Sequence, residues 1–121
     1  METKMVLVMR KDLGMTKGKY VAKGCDACLG LVEDIRRNEN EMHQTILSEW
    51  LEHSFVKVCV YVKSLEELQK IYNQAIEEDL PVKLVTDNGQ TMFHGVLTET
   101  CLSILGEKED VDCITGHLPL L

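Results

Sequence analysis

The chain has 121 residues, 45% of them hydrophobic and 27% charged, with five cysteines and a formal net charge of −7. That length suits one domain with an ordinary core, and no apolar run approaches the roughly 20 residues that span a bilayer. The acidic balance argues against indiscriminate nucleic-acid binding, and the odd cysteine count against a disulfide framework.

MVLVM, near the N-terminus, is too short and wrongly flanked for a signal peptide, so a cytoplasmic location is expected. Lys4 to Arg10, KMVLVMR, is a continuous apolar run rich in valine and leucine, the pattern of a strand buried on both faces. KDLGMTKG then forms a loop, with Gly14 and Gly18 as breakers and Thr16 available as a helix cap. From Lys19, apolar positions Val21, Cys25, Cys28, Leu29, Val32 and Ile35 keep helical spacing, and Arg36 and Arg37 suit the negative end of the helix dipole.

RRNEN ends that helix. A second helix is expected over Met42 to Glu52, with Ile46, Leu47, Trp50 and Leu51 on its apolar side. Phe55 to Val62 alternates in part and predicts a strand. Ser64-Leu65-Glu66-Glu67 is a capping box opening a third helix, whose buried stripe would be Leu65, Leu68, Ile71, Tyr72, Ala75 and Ile76. Leu80-Pro81 stops it, and Val82 to Thr86 is a third strand. Asp87-Asn88-Gly89 reads as a turn. Val96 to Leu105 alternates as a fourth strand, and EKEDVDCI makes a short helix before the tail TGHLPLL. This order predicts an α/β fold: a small mixed four-stranded sheet with helices on both faces, in three layers.

Charge is unevenly distributed. Residues 1–37 carry eight bases against five acids, while the rest carry five against fifteen. The front of the chain therefore keeps a basic face, which is either a binding surface or an ordinary solvated one. TKGKYVAKGCDACLG, Thr16 to Gly30, concentrates the question. Lys17 and Lys19 flank a glycine where a loop enters a helix, a natural anion site or simply a solvated helix start. Neither GxxxxGK[ST] nor GxGxxG is present. Cys25 and Cys28 form a CxxC, but about two turns inside the helix, and no partner pair with zinc spacing follows, so core cysteines are expected. In TDNGQT, Asp87 either makes an Asx turn or, with Thr91, orients a water at a strand end. His43, His53, His94 and His117 show no spacing suited to a metal or a triad.

KMVLVMRKDLGMTKGK, LPVKLVTDNGQT and DVDCITGHLPLL, in this order and at these separations, resemble the type-2 peptidyl-tRNA hydrolases of archaea and eukaryotes. The resemblance covers nearly the whole chain as a single domain, residues 1–121. It implies hydrolysis of the ester joining a peptide to tRNA, with no required metal or cofactor, no membrane association and frequent homodimerisation. It assigns Lys17, Asp87 and Thr91 to catalysis. On that reading Lys17 stabilises the oxyanion or holds a phosphate, Asp87 orients the water, and Thr91 fixes Asp87 or the substrate. Lys19, Lys23, Arg10 and Lys11 are expected to contact the tRNA backbone.

The chain departs from the family pattern in four places. Lys23 and Asp26 replace a glutamine and a histidine three residues apart on the first helix, and the two replacements could pair with each other. Gln90 stands where a base is common, His94-Gly95 where Pro-Gly is usual, and Pro119 where a lysine is frequent. These departures motivate a second expectation, a non-catalytic module that binds tRNA or a protein partner.

Overall fold

β1 (Thr3–Arg10) is covered on both sides: Met5, Val6, Val8 and Met9 are each at most 1% exposed. A 3-10 turn at Lys11–Leu13 follows, closed by Gly14 in the left-handed conformation that glycine tolerates best. It leads to α1 (Lys17–Arg37), where the Thr16 hydroxyl accepts the Lys19 N–H at 3.2 Å. The computed structural model describes residues 1–90 and 93–121.

α2 (Glu41–Glu49) is capped by Asn40 and widens into a π-type turn over Trp50–Ser54, closed by the Phe55 N–H on the Trp50 carbonyl at 2.8 Å. The expected helix thus ends early, because the indole N–H is drawn to the Val56 carbonyl at 2.8 Å. β2 (Lys57–Val62), α3 (Leu65–Glu77), β3 (Val82–Asp87), β4 (Thr98–Glu107) and α4 (Lys108–Thr115) complete the expected order.

The sheet order is β2-β1-β4-β3, with β1 parallel to β2 and β4 antiparallel to both β1 and β3. β1, β2 and β3 therefore point the same way, and their C-terminal ends share one edge of the sheet. That edge carries Arg10, Val62 and Asp87. On one face α3 and α4 pack Leu68, Ile71, Ala75, Val111 and Ile114 onto Val6, Val8, Leu102 and Ile104. On the other, α1, α2 and the π-type turn pack Leu31, Ile35, Ile46, Leu47 and Trp50 onto Met5 and Leu105. The expected three-layer arrangement is present. Beyond β2, the C-terminal tail lies along the free strand edge: Tyr61 donates to the Pro119 carbonyl and Leu121 to the Cys59 carbonyl, both at 3.1 Å.

α1 is rotated relative to the expected stripe. Its buried residues are Gly24, Ala27, Leu31 and Ile35, whereas Val21 and Leu29 are 68% and 63% exposed and Cys25 is exposed. Small residues face the sheet, so the helix lies low on it, and the Ser103 hydroxyl donates to the Ala27 carbonyl at 2.8 Å. Cys25 is therefore not the core cysteine expected and Cys28 is only half-buried, while Cys101 lies in the core, its thiol pushed up to about 11 by burial. Leu51 and Ile76, also expected in buried stripes, are exposed.

Candidate active site

Asp87 ends β3 just after a register shift between Val85 and Thr86, a bulge that re-aims the strand's last residues. Its carboxylate is 3% exposed yet ringed by donors. Oδ2 lies 2.7 Å from Lys19 Nζ and 2.8 Å from Lys23 Nζ, and Oδ1 accepts the Gly89 N–H at 2.6 Å. The hydrogen bonds from Lys19, then Lys23, then Gly89 hold the Asp87 carboxyl well below the usual carboxylate range, against the opposing effect of burial. Burial pulls the Lys23 ammonium downward, but its hydrogen bonds to Asp87 and Asp26 outweigh that and raise it. Around neutrality this is a fixed anion clasped by a fixed cation.

Helical geometry builds the clasp. Lys19 and Lys23 are four residues apart, so one face of α1 presents both to the end of β3. Lys23 also meets Asp26 at 3.1 Å, the pairing the sequence allowed. Lys19 Nζ stands 5.8 Å above the Phe93 ring, a neighbour that no sequence signal marked. Gly89 closes the turn at φ 81°, and a Cβ there would sit 2.5 Å from the Val96 carbonyl oxygen, so only glycine fits.

The other expected site residues are divided. Lys17 is the first residue of α1, exposed, with no acid in that first turn to neutralise the helix's positive end. Lys11 is exposed and lies over the Tyr61 ring at 4.4 Å. Arg10 is committed elsewhere, gripping Asp12 through two nitrogens at 2.7 and 3.2 Å and donating to the Glu99 carbonyl at 3.0 Å. Lys19 and Lys23, expected against tRNA, both pair with Asp87. Thr91 lies outside the described residues. Among those residues, no three His, Cys, Asp or Glu side chains converge in a metal-binding group.

A three-layer α/β protein with a cation-clasped carboxylate at the shared end of its parallel strands is the class these observations define. Residues 3–121 match the model of the family Peptidyl-tRNA hydrolase PTH2. A peptidyl-tRNA hydrolase of Sulfurisphaera tokodaii is 44% identical over 122 aligned positions, covering all of both chains. One of Methanocaldococcus jannaschii is 43% identical over 98% of this chain and 99% of its own. A solved protein of unknown function from Agrobacterium tumefaciens superposes with a TM-score of 0.66 over 100% of this chain and 98% of its own, at 14% identity, a likeness of fold alone. The chain belongs to the peptidyl-tRNA hydrolase PTH2 family.

Proposed function

We propose that this chain hydrolyses peptidyl-tRNA, with Asp87 at the centre of the site. The observation that carries the reading is the buried Asp87 carboxylate, fixed by Lys19 and Lys23 at the sheet edge where ligands of open α/β folds bind. A carboxylate has about four acceptor positions. Two ammonium contacts and one amide leave an acceptor position on Oδ1 for a water. That water's oxygen attacks the ester carbon, the bond to the ribose oxygen of tRNA breaks, and the proton lost by the water ends on that ribose oxygen. A carboxylate so strongly stabilised as an anion orients the water rather than keeping its proton. Lys17, beside the open amides of the α1 N-terminus, faces the charge that builds on the carbonyl oxygen. Thr91 is assigned to hold Asp87 or the substrate. With this substrate the protein acts in translation, in the cytoplasm.

The test is peptide release from purified peptidyl-tRNA. Asp87→Asn and Lys17→Ala should each lower kcat by about 10²-fold or more, with melting temperatures measured alongside. Full activity in both variants overturns the assignment. No observation favours the alternative of a non-catalytic binding module.

We also propose that two copies associate through the face left open between α1 and the π-type turn. A cavity of about 790 Å³ there is floored by Leu7, Met9 and Cys59 and walled by Trp50 and Phe55. Val21, Cys25 and Leu29, spaced four apart and exposed, form its wall on the α1 side. About a twofold axis one exposed apolar face meets its own copy, so the same residues of the two copies cover each other.

A further inference from the structure

The chain's thirteen bases all lie among the described residues. Lys4, Arg10, Lys19, Lys23, Arg36, Arg37, Lys83 and Lys108 each hold an acidic partner. Lys11, Lys17, Lys57, Lys63 and Lys70 hold none among the described residues. In a chain of net charge −7, attraction for a polyanion depends on such uncompensated cations.

Their placement is not scattered. Lys11 directly follows β1, Lys63 directly follows β2, and Lys17 opens α1, so parallel pairing brings all three to the edge where Asp87 ends β3. Lys70 lies in α3, about a turn and a half from the same edge. Only Lys57, at the start of β2, is at the opposite edge. Lys63 and Lys70 line a cleft of about 430 Å³ with Tyr61, Gln74 and His117, between α3 and the C-terminal tail. One acid, Glu67, also lines the cleft, and the acids at this edge have these partners. Asp12 is bound by Arg10, Glu67 accepts the Lys63 backbone N–H at 2.8 Å, and Glu99 accepts from Gln69 at 3.4 Å.

We propose that Lys63 and Lys70, in the cleft between α3 and the tail, seat the phosphate backbone of the tRNA while its ester end reaches Asp87. This rests on the proposed hydrolase reading and adds a binding surface to it. From β3 to β2 the sheet spans three strand spacings, roughly 14 Å, so the cleft contacts tRNA beyond its esterified terminal nucleotide. The bound strand runs across the strand ends, past Lys17 and Lys11, to Lys63 and Lys70.

The experiment compares wild type with Lys63→Ala/Lys70→Ala, both exposed positions, over a salt series. Each phosphate contact contributes about 0.7 to 0.9 to the slope of log affinity against log salt, so the double variant's slope should flatten by roughly 1.5. KM for peptidyl-tRNA should rise severalfold with kcat unchanged. An N-acyl-aminoacyl ester of adenosine alone should be cleaved as by wild type. Arg36→Ala/Arg37→Ala, at the far end of α1, serves as control and should change none of these. An unchanged KM and slope in the double variant overturns the proposal, as does an equal loss on the adenosine ester. If wild type releases no peptide, the hydrolase reading fails on its own. The cleft is then decided by direct binding of uncharged tRNA, where an unaltered salt slope in the double variant refutes it.

Discussion

Asp87 carries opposing demands within one side chain. It is nearly inaccessible, and a buried carboxylate alone would prefer its neutral form, but two ammonium groups and an amide keep it ionised. Because its folded pKa is depressed, its contribution to stability is complete above the unfolded value of about 3.9 and is lost as pH falls through the folded value. With Asp87 lowered and Lys23 raised, neither group titrates between about pH 5 and 8, so neither should bend the pH–rate profile there. A profile of log kcat/KM measured over that interval should show no limb that Asp87→Asn or Lys23→Ala removes. Gly89 offers a second test at this scale. Gly89→Ala forces Cβ against the Val96 backbone and should cost about 1 to 3 kcal/mol of stability, measured by denaturant titration, and loosen the amide that fixes Asp87. The donors around Asp87 were partly legible in the sequence. The four-residue spacing of Lys19 and Lys23 puts them on one helix face, but what that face meets is set by tertiary contact with the end of β3. The expectation of tRNA contact, which came with the family resemblance, did not include that neighbour.

At the scale of elements, local signals were dependable where they were chemical. Thr16 and Ser64 both cap helices as their sequences require, Ser64 accepting the Glu67 N–H at 3.1 Å. The Glu67 carboxylate returns to the Lys63 N–H, so this cap also fixes the junction between β2 and α3 at the mouth of the basic cleft. Ser64→Ala should therefore lower stability by about 1 kcal/mol in thermal melts. Periodicity alone was less dependable. Val21, Cys25 and Leu29 repeat at helical spacing as a core stripe does, because an exposed apolar stripe and a core stripe obey the same geometry. The small residues Gly24 and Ala27 mark the face that lies against the sheet. The shortened α2 has a different cause, since Trp50 is buried where its ring packs with Phe55 at 4.9 Å and no helical pattern specifies that turn.

For the whole molecule, element order and layer count followed from the sequence, but strand order did not. Lys63 is more than fifty residues from Lys11 in the chain, and only parallel pairing of β1 with β2 makes them neighbours. The open apolar face gives a prediction at this scale. A single copy shows Val21, Leu29 and Phe55 to solvent around one apolar cavity, with Phe55 55% exposed, and contiguous exposed apolar surface of this kind marks interaction sites. Light scattering at micromolar concentration should give twice the monomer mass, and Leu29→Glu should return it to one. A monomeric wild type refutes the twofold association.

The tail that pairs with β2 has a further consequence for the molecule's behaviour in company. β2 is the outer strand on its side of the sheet, and an unpaired strand edge is a template on which other chains can add. With Pro119 and Leu121 hydrogen-bonded along it, that template is occupied from within the same chain. The tail that walls the basic cleft through His117, Leu118 and Pro119 thus also guards the strand edge against edge-to-edge aggregation through Pro119 and Leu121.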